Sequence, residues 1–213
     1  MTQPLALAVV PLDASCLGNG QEGKTPGGAG GLIETATRGG VQRRDFFLHA
    51  ADTTNNRMAL AGGIAALQLL AGKGQRMRVL LVSDSEYLVK GMREWVPAWK
   101  ARGWTRKGGP IENLPLWQQL VSSAGKHEVQ WTWVRGHQGH AKNEYANDLA
   151  VAAATEQHTS DGAIPSGFES WLAAKRSRGQ YLEYDADATY QRLANRLASG
   201  EVTRIAPSPC INH

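Results

Sequence analysis

From Leu5 to Leu12 the chain carries no polar side chain, and the run ends on Asp13. Such a run predicts a buried strand over 5–15 that delivers a carboxylate at its end. The glycine-rich passage over 18–31 (GNGQEGKTPGGAGG) has no period and reads as a flexible turn. It is no phosphate loop, because no GK[ST] element leading into a helix follows it. Residues 31–38 and 41–50 read as two strands joined at Gly39-Gly40, a hairpin signal. The period then changes: Met58, Leu60, Ile64, Leu67 and Leu70 recur at helical spacing across 53–71, and Gly72 stands where a helix stop belongs. Gly62 and Gly63 inside that helix cost about 1 kcal/mol each against alanine and suit a close approach to a sheet.

A second apolar run, 79–84 (VLLVSD), again ends in an acid, and a helix restarts over 85–93. Pro97 predicts a break before another short helix around Trp99. Asn113 with Pro115 opens a helix through Leu120 that stops at Gly125. Residues 128–135 alternate, with Val129, Trp131 and Trp133 on one face. A Gly-His-Gln-Gly-His loop then leads to a helix that opens near Asn143 and carries Asn147 and Asp148 on its second turn. The order βββ-α-β-α-β-α predicts an α/β fold: a five-stranded mixed sheet, three antiparallel strands first, flanked by helices. This domain is expected over 1–155, with a linker over 156–166 and a helical extension over 167–213. The extension's helices, about 167–175 and 186–198, are expected to pack on the domain or on a neighbouring subunit.

Composition narrows the class. The 213 residues are 42% hydrophobic and 20% charged, which suits a protein with an ordinary core. No run of 18 apolar residues occurs, so no membrane span is expected. Cys16 and Cys210 lack the spacing of a disulfide framework, and the N-terminal run lacks a basic region and a cleavage site, so a cytoplasmic location is expected. The net charge of +4 is unevenly spread. Lys90, Arg93, Lys100, Arg102, Arg106 and Lys107 face a single acid, Glu94, and are interleaved with Trp95, Trp99 and Trp104. That mixture suits a nucleic-acid backbone with base or sugar faces beside it. It equally suits a solvated amphipathic helix whose tryptophans enter the core.

Asp13 and Asp84 end two apolar strands, and Asn147 sits on the following helix. Acids at the ends of adjacent strands converge, and close carboxylates need a cation, which points to a hard, oxygen-seeking ion such as Mg²⁺. Two such ions can activate water and stabilise the leaving oxygen of a phosphodiester.

The chain here resembles the type 1 ribonucleases H. The resemblance rests on DASCLGN (13–19), TTNNRMAL (53–60), SDSEYLVKG (83–91), WKARGW (99–104), NLPLWQQL (113–120) and WVRGHQGHAKNE (133–144), in the family's order. It covers about 5–154 and has no counterpart for the extension. It implies a ribonuclease H-like fold and hydrolysis of the RNA strand of RNA–DNA hybrids by two metal ions, Mg²⁺ or Mn²⁺, leaving 5′-phosphate and 3′-hydroxyl ends. It implies four acidic ligands and a mobile histidine. Asp13 and Asp84 fall on the first and third acids, and His137 on the histidine. Ala59 stands where the second acid, a Glu, belongs, and Asn147 where the fourth, an Asp, belongs. Asp148 is rotated by about 100° and cannot easily take over.

The resemblance also assigns substrate contacts to Asn19, Thr54, Asn55, Asn56, Glu86 and Asn113, and to the basic protrusion with Trp95, Trp99, Lys100, Arg102 and Trp104. An Asn amide both donates and accepts, as a 2′-hydroxyl does. Glu86 stands where the family often has Gln, and it cannot donate. With two formal charges in place of four, cleavage by this sequence is expected to be strongly reduced. A non-catalytic hybrid-binding module on the same fold is the alternative. An integrase or junction-resolving nuclease is disfavoured by the TTNNRM and GHQGH segments.

Overall fold

The computed structural model describes residues 5–18, 25–72, 74–136 and 139–200. Strands β1 (Ala6–Cys16), β2 (Gly27–Thr37) and β3 (Gly40–Ala50) form an antiparallel meander. Strands β4 (Met77–Ser83) and β5 (Glu128–Trp133) continue the sheet in parallel with β1. Alternation sorts their side chains: Ala8, Val10, Leu12, Val79 and Leu81 enter one cluster, whereas Val9, Leu80 and Val82 enter another on the opposite face. A parallel pair buried on both faces needs apolar residues at every position, which is why these runs are unbroken.

Helix α1 (Asn55–Ala71) and α4 (Leu114–Ala124) cover the first face, with Leu60, Leu67, Leu70, Trp117 and Leu120 wholly buried. Helix α5 (Ala141–Glu156) lies on the second face, over β1 and β2. Among the described residues no helix is long and apolar enough to cross a membrane.

Three expectations need correction. The sheet has six strands among the described residues, in the order β5-β4-β1-β2-β3-β6, not five. The sixth, β6 (Ile164–Pro165), pairs Ile164 with Asp45 and Pro165 with Arg44 on the edge of β3. Two residues with a proline carry no period to recognise. Their place is set by tertiary contact, because buried Asp45 accepts from Ser166 Oγ at 2.6 Å and from the Gly167 N–H at 2.9 Å.

The glycine-rich passage is the second. Its last five residues, Gly27 to Gly31, are not a flexible turn but the buried first half of β2. Helix α5 lies directly on them: a Cβ on Gly28 would run into the Ala150 carbonyl oxygen, and one on Gly30 would lie 2.6 Å from Leu149 Cβ. Glycine here serves close approach, not flexibility.

The third is Pro97. Helix α2 (Glu86–Lys90) does not break before it but widens into a π-helical turn (Gly91–Trp95) that runs straight on into α3 (Val96–Ala101). The Val96 N–H reaches back to the Gly91 carbonyl, so the widened turn lies directly before Pro97, whose ring and missing N–H disfavour regular α-helical bonding there.

The C-terminal helices α6 (Phe168–Arg176) and α7 (Ala186–Ser199) lie on the second face beside α5. Tyr190, Leu193, Ala194 and Leu197 of α7 cover Val9, Leu80 and Val82. Phe168 and Leu172 of α6 pack with Leu32, Ala141 and Tyr145. Asp185 caps α7 by accepting from the Ala188 N–H at 2.9 Å. Ion pairs add to this packing: Arg43 bridges Glu34, Glu169 and Asp187, and Lys142 reaches Glu34 and the Ala186 carbonyl.

Candidate active site

Asp13 leaves β1 toward the second face, and Asp84 follows the last residue of the neighbouring parallel strand β4. Both therefore sit at the carboxyl ends of adjacent parallel strands, the usual place for a site in an α/β sheet. Two neighbours hold Asp84: Trp133 Nε1 donates to its backbone carbonyl at 2.9 Å, and Gly136 leaves the room its carboxylate occupies. Asp13 is 6% exposed. Burial, then the charge of Asp84 beside it and a hydrogen bond between the two carboxyl groups, push its pKa up to about 8. The Ala14 N–H at 2.7 Å and the Asn143 amide at 3.3 Å oppose that rise.

Asn143 is the functional residue that sequence reasoning missed. It lies in the first turn of α5, and α5 comes that close because Gly30, on which it rests, is the direct partner of Asp13 in the β1–β2 register. Asn143 stands four residues before Asn147, so both occupy one helix face, and that spacing was the available signal. Asn147 is half-buried on the next turn. Asp148 points elsewhere, accepting from Trp171 Nε1 at 2.8 Å with Lys175 Nζ at 3.9 Å. Ala59 is wholly buried on α1 within the apolar cluster of the first face and supplies no polar atom. Among the described residues no three His, Cys, Asp or Glu side chains converge. The groups that do converge are the two carboxylates, hard oxygens suited to a divalent ion, and the Asn143 amide, whose nitrogen meets Asp13. They bring less negative charge than four acids would. His137 and Asn19 lie outside the described residues.

The expected substrate residues lie on several elements. Thr54 caps α1, its hydroxyl accepting from the Arg57 N–H at 3.3 Å, while Asn55 and Asn56 stand half-exposed in the first turn. Cys16 Sγ, 3.5 Å from the Thr53 carbonyl, ties the end of β1 to that helix start. Glu86 is exposed at the start of α2. Asn113 does not use its side chain as a helix cap; held in the left-handed region (φ 56°), it donates instead to Tyr87 Oη at 3.2 Å. Trp95 and Trp99 pack on each other and on buried Trp117, with ring centroids 5.7 to 6.5 Å apart. Those two and Trp104 are half-buried against the core, whereas Lys100, Arg102, Arg106 and Lys107 are exposed around them. This is the arrangement that the amphipathic reading of the segment expects, with ring bodies inside and cations outside.

This sheet, with paired acids at the ends of its parallel strands, defines an α/β nuclease of the hydrolase class. A family model described as RNase H matches residues 8–155. A ribonuclease H of Methylococcus capsulatus is 39% identical over 161 residues, 75% of this chain and 96% of that relative. One from Escherichia coli O9:H4 is 41% identical over 143 residues, 67% of this chain and 85% of that relative. Among solved structures, LC9-RNase H1, described as a type 1 RNase H with the type 2 active-site motif, is 52% identical with a TM-score of 0.76, covering 81% of this chain and 83% of its own. The RNase H domain of PFV shares the fold at 18% identity and a TM-score of 0.59, covering 72% of this chain and 97% of its own. The chain belongs to the ribonuclease H family.

Proposed function

We propose that this chain binds RNA–DNA hybrids and that its site is built to hydrolyse the RNA strand with divalent ions, Mg²⁺ or Mn²⁺, held at Asp13, Asp84 and the Asn147 amide. The observation that carries it is the meeting of Asp13 and Asp84 at adjacent strand ends, where burial and the neighbouring Asp84 charge raise the pKa of Asp13 and a bound cation would offset both. Bound divalent ions supply the Lewis acidity that makes water a nucleophile and stabilises the leaving oxygen. The chain's own part is to position. The exposed Lys100, Arg102, Arg106 and Lys107 neutralise phosphates beside the half-buried tryptophans. Asn55, Asn56 and Asn113 offer amides to 2′-hydroxyls and phosphates. His137, in the loop before α5, is assigned proton transfer or product release.

Turnover by this sequence is strongly reduced. Ala59 provides no ligand and Asn147 no charge, so the ion beside the leaving oxygen is held least well. A cleavage assay on a labelled hybrid in Mg²⁺ and in Mn²⁺, with a binding titration in parallel, tests both halves. Binding with slow cleavage is expected. Normal turnover overturns the impairment, and absence of binding overturns the hybrid reading.

A further inference from the structure

The site contains one buried acceptor without a donor. Asn143 is 3% exposed, its Nδ2 donates to Asp13 Oδ2 at 3.3 Å, and its Oδ1 has no hydrogen-bond partner among the described residues. A buried amide oxygen left alone carries an uncompensated desolvation cost, and most such atoms in native proteins are satisfied. Once a cation holds the neighbouring carboxylates ionised they cannot repay it, because ionised carboxylates only accept. Whatever completes Asn143 must bring an O–H or N–H donor to a position beside the Asp13 carboxylate.

The geometry points to Asn143 as a positioning residue with two contacts: its amide nitrogen fixes the Asp13 carboxylate, and its buried oxygen accepts from a water in the inner shell of a divalent ion held by Asp13 and Asp84. A water bound to a dication is a strong donor, and Mg²⁺ keeps several of its waters when it binds protein carboxylates. Both atoms belong to one planar amide, so the group that orients the first ligand also orients the hydration shell. Outer-shell partners of this kind commonly change metal affinity by about 10- to 100-fold. The proposal rests on the metal-site reading above and adds a residue to it.

The test uses the full chain without substrate. Titration calorimetry with Mg²⁺ and Mn²⁺ compares the unaltered protein with Asn143→Ala, expected to bind Mg²⁺ about tenfold more weakly or worse. Hexaamminecobalt(III), whose ammine ligands do not exchange, binds only through its outer shell and donates N–H groups. In the unaltered protein it is expected to shift the Asn143 side-chain amide resonances, as Mg²⁺ does. That measurement needs no variant and stands even where Asn143→Ala fails to fold. Equal Mg²⁺ affinity in a folded Asn143→Ala protein, or unmoved Asn143 amide resonances under both ions, overturns the role of Asn143 alone. Failure of the unaltered protein to bind either divalent ion overturns the metal-site reading as well.

Discussion

Lys142 Nζ lies 2.7 Å from Glu34 Oε2, and both side chains are buried, Glu34 completely. Glu34 is shared with Arg43 at 3.0 Å, and Arg43 goes on to Glu169 and Asp187 in the C-terminal helices. Lys142 also donates to the Ala186 carbonyl at 3.0 Å. Lys142 precedes Asn143, so the start of the helix that faces the active site is tied directly to the extension.

Removing one partner of this pair leaves the other buried and uncompensated. Burial already works against the charge on Lys142, lowering its pKa, with Glu34 opposing that effect. Glu34→Gln or Lys142→Met should therefore each cost about 3–5 kcal/mol. Replacing both together, Glu34→Gln with Lys142→Met, should cost distinctly less than the sum. Urea unfolding of the two single variants and the double variant measures the cycle. Additive losses would show that the pair is not coupled.

Helix α7 should matter as much as any core element. Leu197 is wholly buried against the sheet face that carries Val9, Leu80 and Val82. Leu197→Ala should destabilise the protein by about 2–5 kcal/mol, read from denaturant midpoints. Deleting α7 would uncover those residues and should leave a chain that binds hydrophobic dye or aggregates. A truncated protein as stable and monomeric as the full chain would show that α7 is an appendage only.

The parts of the fold that could be read from sequence were those that announce themselves locally. Asp13 and Asp84 were legible because each ends an unbroken apolar run, the signature of a strand buried on both faces. Even the rotation of Asp148 away from the site followed from helix geometry and reappears in its bond to Trp171. What escaped was set by contact across the fold. The glycines of β2 look like a loop until α5 is laid on them, and Ile164–Pro165 is a strand only because β3 has a free edge. Asn143 was passed over for a similar reason: its spacing to Asn147 puts it on the same helix face, but the contact with Asp13 on β1 is made across the fold.

The acid pair should make stability depend on pH. Asp13 has an ordinary pKa near 3.8 in the unfolded chain and about 8 in the fold. The folded state thus binds the extra proton between those values, and its contribution to stability is complete below about pH 3.8 and lost as pH rises through 8. In EDTA, the thermal midpoint of the unaltered protein should fall from pH 5 to pH 8.5 more steeply than that of Asp13→Asn. Divalent ions should flatten the difference by taking the proton's place, and their affinity should rise over the same range. Parallel profiles for the two proteins would refute the assignment.

Salt should report on the exposed cations around the tryptophans. Lys100 is exposed on α3 beside Trp99. If it neutralises a phosphate, Lys100→Ala should reduce the slope of log K against log salt for hybrid binding by about 0.9 or slightly less. The fold should be untouched, because Lys100 has no part in the core. An unchanged slope would place the nucleic acid elsewhere.

Restoring the missing ligand gives the sharpest contrast between stability and activity. Ala59→Glu adds a carboxylate to a wholly buried position on α1, within an apolar cluster. Without metal the new group is costly, so the variant should melt below the unaltered protein in EDTA. With metal the same charge helps hold the ions, so Mg²⁺ should raise its melting point more than that of the unaltered chain. Hybrid cleavage should rise by orders of magnitude, and Asn147→Asp added to it should raise cleavage further. Improved cleavage with no gain in metal stabilisation would mean that the carboxylate acts by another route. A variant that folds, gains stability from Mg²⁺ and still fails to cut would mean that Ala59 is not what limits the reaction.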